Sequence, residues 1–257
     1  MLGQVTLLTS YLFAVIYPLC FWISFKEPLR DNFHRFHLGV ANFVGGVCLV
    51  FILVGPYPNF IKIGTLVWKI SFWSVSKYYW SREYPKVLPL TISSFLGSVA
   101  YIYLQKFLLD SNGQAITISI LAGFIFCAAL FAMNLGHWYL NVHGLKLGHL
   151  IRSVYLLWGF LLLRLLWNVY YIFTHNLIYD GDSITMLHFM MTMDGFLLFI
   201  GLFFGILFPF IGLFFARGTL HLKNTQATTG ILYVLLCSIL IGDITYKYYL
   251  IKFGIPL

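Results

Sequence analysis

The stretch NLGHWYLNVHGLKLGH, residues 134–149, ends one long apolar segment and begins the next. It carries three histidines at a regular spacing of six, His137, His143 and His149, together with Asn134 and a Trp-Tyr pair. On both sides the chain consists of apolar runs of about 20 residues, long enough to cross a hydrocarbon layer of roughly 30 Å. The stretch therefore predicts a polar turn between two membrane-spanning helices, and any chemistry of the protein is expected near it.

The composition excludes a soluble globular fold. Of the 257 residues, 60% are hydrophobic and 9% are charged, whereas a soluble domain is about 25% charged. The apolar runs do not alternate polar and apolar residues, as the strands of a transmembrane barrel do. We therefore predict an all-α, polytopic integral membrane protein with a single transmembrane helical domain over residues 1–257.

The apolar runs predict a bundle of about eight transmembrane helices. Their expected bounds are 4–25, 36–54, 61–80, 87–109, 115–140, 149–174, 183–216 and 226–250. The third run contains two lysines, Lys62 and Lys69, so its assignment rests on charge. When it is counted as a span and the N-terminus is placed outside, most of the 16 Lys and Arg residues fall in inner loops. This is the asymmetry of the positive-inside rule, and it predicts that both termini lie outside.

The distribution of charge and the spacing of the cysteines limit the kinds of partner that are expected. The loop bias explains the net charge of +8, and no basic tract of the nucleic-acid-binding type occurs, so no nucleic-acid partner is expected. The four cysteines show no CxxC spacing, which predicts neither disulfides nor a thiolate metal site. The expected partners are the lipid bilayer and other membrane subunits. Short loops and the absence of a targeting signal favour a bacterial inner membrane.

Polar residues inside the predicted spans need a physical reason. They are Arg164, Asn168, His188, Asp194, Asp243 and Lys247. A central arginine costs roughly 2.5–3.5 kcal/mol on insertion scales, so Arg164 should face protein, water or a ligand. We expect it to pair with Asp194 or Asp243, and Lys247 follows Asp243 by one helical turn. These groups form either a structural salt bridge or a path for protons or substrate.

The histidines gather near the predicted inner face, which holds His34, His37, His137, His143, His149 and His221. Neutral imidazole ligates haem iron and other transition metals. His37 and His137 are the candidate ligands of a b-type haem, and His175 with His188 is an alternative pair outside. The competing interpretation is a set of interfacial histidines bonded to headgroups, water or backbone.

The predicted inner face is also basic and aromatic. The candidate cofactor-binding residues there are His37, Asn134, His137, His143, His149, Arg152 and Arg217. Since no carboxylate lies among the three histidines of residues 134–149, a quinone oxygen, a lipid headgroup or another anion fits better than a bare dication. The last inner loop adds Arg217, Lys223 and a helix start whose free N–H groups attract anions.

Four functions remain open. The preferred one is an electron-transfer membrane subunit that interacts with a quinone or haem b near the cytoplasmic face, where the cofactor supplies the chemistry. The second is a small proton-coupled transporter that uses the intramembrane Arg and Asp residues. The third is a lipid-modifying enzyme with His137 or His143 as general base, although no acid or nucleophile partner is evident. The fourth is a structural subunit of a membrane complex.

Overall fold

The computed structural model describes residues 1–27, 29, 32–109, 113–142 and 146–257. It divides into two compact units, Met1–Ile116 and Thr117–Leu257. Within the described residues, seven helices are long and apolar enough to cross a membrane. The multi-pass helical membrane protein expected from the sequence is therefore confirmed, while the single domain over residues 1–257 stays a prediction.

Four helices build the first unit. They are α1 (Leu2–Ile16), α2 (Phe33–Val54), α3 (Asn59–Trp80) and α4 (Val87–Leu109). After α1 the chain tightens into a 3-10 helix, Tyr17–Ser24. The reason is Pro18, which has no N–H and whose ring clashes with the carbonyl four residues earlier, so the α-helix does not continue through it. Both α1 and α3 pack against α2 and α4, so the four helices enclose one interior.

Trp68 of α3 fills the middle of that interior. Its ring stacks on Tyr11 at 4.8 Å and on Phe72 at 6.3 Å between centroids. Two glycines make room for it, because a Cβ on Gly97 would lie 2.5 Å from Trp68 Nε1 and one on Gly45 would lie 3.0 Å from Cη2. Small residues therefore mark the faces at which the helices of this unit meet, as they do in other membrane proteins.

The second unit holds most of α5 (Gly113–Asn141) and all later elements. These are α6 (Gly148–Thr174), β1 (Asn176–Tyr179), β2 (Asp182–Thr185), α7 (Met186–Met190), α8 (Phe196–Leu202), a π-helical turn (Phe203–Leu207), α9 (Phe208–His221) and α10 (Thr225–Phe253). The helix α10 packs along α8, the π-helical turn and α9, and α6 packs on α9. Asn224 caps α10, since its side chain accepts a hydrogen bond from the Ala227 N–H at 2.9 Å.

The α-helical pattern of the span that contains α8 and α9 is interrupted by the π-helical turn, just before Pro209. Proline cannot donate a helical hydrogen bond, and a π-helical turn accommodates that interruption. Gly205 in this turn lies against Gly242 of α10, where a Cβ on Gly242 would meet the Gly205 Cα at 2.1 Å. The backbones of the two helices therefore touch, as in other small-residue contacts between membrane helices.

The predicted span at 183–216 is wrong at its start, and the fold is not purely helical. The membrane helix runs over Phe196–His221. Before it, β1 and β2 form an antiparallel hairpin whose two-residue turn, Asp180 and Gly181, has φ values of 52° and 90°. Positive φ at both positions is the pattern of an Asp-Gly hairpin turn. His188 on α7 and Asp194 before α8 therefore lie outside the membrane helices, contrary to the expectation that both are intramembrane.

Candidate functional site

A hydrogen-bonded group of polar side chains joins α2 and α3 along their contact in the first unit. Lys69 Nζ donates to the carbonyl oxygen of Asn42 at 2.7 Å and to its Oδ1 at 2.8 Å. Asn42 Nδ2 donates in turn to Ser76 Oγ at 2.6 Å and to the Leu38 carbonyl at 3.0 Å. One asparagine therefore holds a lysine ammonium and a serine hydroxyl together. We call Lys69, Asn42 and Ser76 the Lys69 site.

The Lys69 ammonium is held by neutral oxygens. Within the described residues no carboxylate forms an ion pair with it, and Glu27 and Glu83 lie outside the helices. Gly46 makes room for the lysine stem, since a Cβ there would contact Lys69 Cε at 3.7 Å, and the ammonium lies 5.8 Å from the Phe72 ring. Because charges buried in proteins are usually paired, a half-buried cation without a counter-charge is a candidate functional group.

Two further polar contacts lie above and below the Lys69 site. Tyr11 Oη donates to Thr65 Oγ1 at 3.3 Å, and Thr65 comes one helical turn before Lys69 on α3. Toward the other end, a hydrogen bond of 2.7 Å joins the Tyr17 hydroxyl to His37 Nδ1. His37 comes five residues before Asn42 on α2, or about 7.5 Å along the helix axis. Polar groups therefore occupy three successive levels of the first unit.

His37 is enclosed by aromatic rings. Its side chain is 3% exposed, and its ring centroid lies 4.0 Å from that of Phe33, 5.2 Å from Phe36 and 6.4 Å from Phe21. The Tyr17 hydroxyl and these rings orient the imidazole. One turn earlier, His34 Nε2 lies 3.0 Å from the Tyr79 carbonyl oxygen, and its Nδ1 is buried with no hydrogen-bond partner in the described part of the chain.

A second buried polar cluster lies in the second unit around Arg164, which is 2% exposed. Its guanidinium donates to the carbonyl oxygen of Ile118 at 2.8 Å and to that of Leu257. It also lies 4.6 Å over the Tyr246 ring, and the Tyr246 hydroxyl accepts from Asn168 Nδ2 at 3.2 Å. Backbone carbonyls therefore satisfy most of the arginine and connect α6 to the residues after α10.

The expected ion pair between Arg164 and an aspartate does not form among the described residues. Asp243 pairs with Lys247 one turn later on α10, and both are buried. Asp194 pairs instead with Lys252 at 3.1 Å, at an exposed position. Since each charge of this cluster has a protein partner, the arrangement fits a structural tie within the second unit.

The predicted cofactor-binding residues are distributed over both units. His37 lies in the first, whereas Asn134, His137, His149, Arg152 and Arg217 lie in the second. His149 is buried, Asn134 is half-buried, and the other three are exposed. His143 falls outside the described residues. Among the residues that the structure describes, no group of three or more His, Cys, Asp or Glu side chains could hold a metal ion. The haem pair of His37 and His137 stays a prediction.

The Lys69 site was not predicted from the sequence, although a signal for it exists. Asn42 lies 13 residues before Gly55, and Lys69 lies 11 residues after Pro58. Because a connection of four residues makes α2 and α3 antiparallel neighbours, these counts give the two residues nearly the same depth. Comparing depths across short loops would therefore have paired the lysine with the asparagine.

Comparison of the chain with protein-family models, with curated proteins and with solved structures finds no match. The residues of the chain itself therefore carry any functional assignment. What they establish is a multi-pass helical membrane protein with polar groups at three levels of its first unit and a buried arginine tie in its second.

Proposed function

We propose that the protein is a small proton-coupled transporter in which Lys69 binds and releases the transported proton. The observation that carries this proposal is the half-buried Lys69 ammonium, which the neutral oxygens of Asn42 hold between α2 and α3. The sequence pointed to Arg164 and the aspartates as coupling groups. Their contacts favour the Lys69 site instead, because Arg164 is bonded to carbonyls and Asp243 is paired with Lys247.

The three polar levels supply the steps of a proton path. Hydroxyl and imidazole groups both donate and accept hydrogen bonds, so Tyr17 with His37 on one side and Tyr11 with Thr65 on the other are suited to pass a proton. Bridging waters would connect the levels. Release of the proton from Lys69 removes the charge that both Asn42 oxygens stabilise, and this weakens the contact between α2 and α3. Protonation is thereby coupled to helix packing.

Proton flux into liposomes tests this proposal. Purified protein is reconstituted in vesicles that contain a pH-sensitive dye, and a potassium diffusion potential is applied. We expect Lys69→Met to lower the flux more than about tenfold, since loss of a positioned proton-transfer group typically costs 10²–10⁴-fold. The control is Lys77→Met on the same helix, whose exposed ammonium lies 4.8 Å from the Trp73 ring. Wild-type flux no higher than in empty liposomes, or undiminished flux in Lys69→Met, contradicts the proposal.

Electron transfer with a quinone or haem b is the second candidate function, and the enclosed His37 favours it. A hydrogen bond to the second ring nitrogen is the arrangement that orients metal-ligating histidines, and Tyr17 is placed to make one. Other membrane subunits would then exchange electrons with the protein. A reduced-minus-oxidised visible spectrum checks this: a b-type haem band that disappears in His37→Ala or His137→Ala supports it. A colourless protein that releases no quinone on extraction rejects it.

We also propose that α3 is an eighth span, with both ends of the chain outside and the basic loops in the cytoplasm of a bacterium. Supporting this, the outward face of α3 is apolar, with Phe60, Ile63 and Ile70 each more than half exposed. Two of its three lysines have polar partners within the unit. Lys62 Nζ reaches the Leu53 carbonyl at 2.9 Å, and Lys69 reaches Asn42. A helix with lipid-facing apolar residues and satisfied lysines can cross a bilayer.

A further inference from the structure

A groove runs between α6 and α9 at the end of the second unit where its basic residues gather. Its walls include Val154, Tyr155, Trp158, Leu213 and Phe214, and Arg217 and His221 lie at its mouth. We call it the α6–α9 groove. No acidic side chain lines it in the described part of the chain, and all four aspartates of this unit lie elsewhere, at positions 180, 182, 194 and 243. Within the part of the chain that the structure describes, the mouth therefore has a positive charge without a carboxylate beside it.

The groups that line the groove change in a definite order from the mouth inward. The Arg217 guanidinium lies 5.6 Å over the Tyr155 ring at the mouth. Trp158 follows Tyr155 by three residues, or about 4.5 Å along α6. Its Nε1 is buried and has no hydrogen-bond partner among the described residues. The walls around it are apolar and are formed by Val154, Leu213 and Phe214. The groove therefore has a cation at its mouth and, further in, a hydrogen-bond donor set in a hydrophobic surface.

The indole of Trp158 is held in place by its neighbours. Its ring stacks on Phe210 at 5.5 Å and meets the edge of Phe214 at 5.4 Å between centroids. These contacts fix the direction of its N–H. An indole N–H that is fixed, buried and without an acceptor indicates a missing oxygen atom, since buried donors in native proteins are nearly always hydrogen-bonded.

We propose that the α6–α9 groove binds a phospholipid with an anionic headgroup. From the membrane surface inward, such a lipid presents a phosphate, then ester carbonyl oxygens, then acyl chains. Arg217 and His221 meet the phosphate, Trp158 donates to an ester carbonyl, and the apolar walls receive a chain. Basic pockets between membrane helices recognise anionic headgroups in this way. The site is independent of the Lys69 site, which lies in the first unit.

Fluorescence quenching by brominated lipids tests the proposal. The protein is placed in nanodiscs of zwitterionic phosphatidylcholine that contain equal mole fractions of brominated phosphatidylglycerol or brominated phosphatidylcholine. Subtracting the signal of Trp158→Phe isolates the contribution of Trp158. We expect the anionic lipid to compete roughly fivefold more effectively for the groove, the effect of one interfacial charge near an anionic headgroup. The variant Arg217→Gln should abolish this preference.

The matched control is Arg82→Gln in the first unit. Arg82 also lies over a tyrosine ring, Tyr78, at 5.3 Å, but it lines neither part of the α6–α9 groove, so the preference should persist. As a second measurement, mass spectrometry of the purified protein should find phosphatidylglycerol that is lost in Arg217→Gln. Equal quenching by both lipids overturns the proposal. So does quenching of Trp158 by a short-chain quinone without a preference for the anionic lipid, because the occupant would then be uncharged.

Discussion

Asp194, just before α8, bonds to two other elements, β1 and α10, at one end of the second unit. Its Oδ1 accepts from Lys252 Nζ on α10 at 3.1 Å, and its Oδ2 accepts from the Tyr179 hydroxyl on β1 at 3.0 Å. Its backbone carbonyl accepts from the Tyr249 hydroxyl at 2.5 Å. The hydrogen bond from Lys252, followed by that from Tyr179, lowers the pKa of Asp194 below its ordinary value. The same contact with Asp194 raises the pKa of Tyr179.

A lowered pKa makes the attachment of the hairpin dependent on pH. Because the folded state favours the ionised carboxylate, this stabilisation is present above the ordinary pKa of 3.8 and is lost as the pH falls through the lower, folded value. We expect amide hydrogen exchange in residues 176–195, corrected for its intrinsic pH dependence, to speed up below that pH. The pair is exposed, so the effect is small.

Two variants separate the Asp194 contact from a general effect of acid. Asp194→Asn should exchange faster at neutral pH and lose the acid-dependent step. Asp182→Asn alters an exposed strand residue of the same hairpin and should retain the step. An acid step of equal size in Asp194→Asn would show that another group is responsible.

At the scale of elements, the number of membrane spans depends on whether α3 crosses the bilayer. It carries Lys62, Lys69 and Lys77 and is not among the seven helices with the apolarity of a membrane span. Its lysines are nevertheless accommodated by a carbonyl, by an asparagine and by the Trp73 ring. A hydropathy scale assigns each of these charges the full free-energy cost of entering the bilayer, because it does not include the groups that the charges contact in the folded protein.

Cysteine labelling determines whether α3 crosses the membrane. In a background without Cys237, the one exposed cysteine among the four, single cysteines replace Asn59 and Ser81, exposed residues at the two ends of α3. If α3 spans the bilayer, an impermeant maleimide should label them from opposite sides. Labelling of both from one side would remove the eighth span. Lys86→Cys and Lys106→Cys, at the two ends of α4, are the reference pair.

At the scale of the whole molecule, the sequence predicts where helices lie better than what they contact. The span at 87–109 has the same bounds in the structure as in the prediction, because its apolar length alone determines it. The error at 183–216 arises at Gly195, where a Cβ would lie 1.9 Å from the Phe189 carbonyl oxygen. Such a close turn depends on the folded chain, so an apolar run continues through it in the sequence.

For the candidate sites, too, the sequence predicts the position of a residue better than its contacts. Arg164 is recognisable in the sequence as a residue that needs a partner, yet its partners are the backbone carbonyls of Ile118 and Leu257. Every residue has a carbonyl, so no sequence pattern marks these two. The Lys69 site was missed because the expected partner of a lysine is an acid, whereas the actual partner is an amide on the neighbouring helix. Contacts with neutral hydrogen-bond acceptors therefore cannot be recognised from the composition of the sequence.

The hydrogen bonds of Arg164 also bear on the order in which the helices enter the membrane during synthesis. Arg164 receives one acceptor from Ile118, 46 residues earlier, and the other from Leu257, 93 residues later. As the chain emerges from the ribosome, α6 reaches the bilayer when only the first acceptor has been made, and a bare central arginine disfavours insertion by roughly 2.5–3.5 kcal/mol. We therefore expect α5 and α6 to enter the membrane together as a helical hairpin, and α6 can gain its last hydrogen bond only after residue 257 has been synthesised.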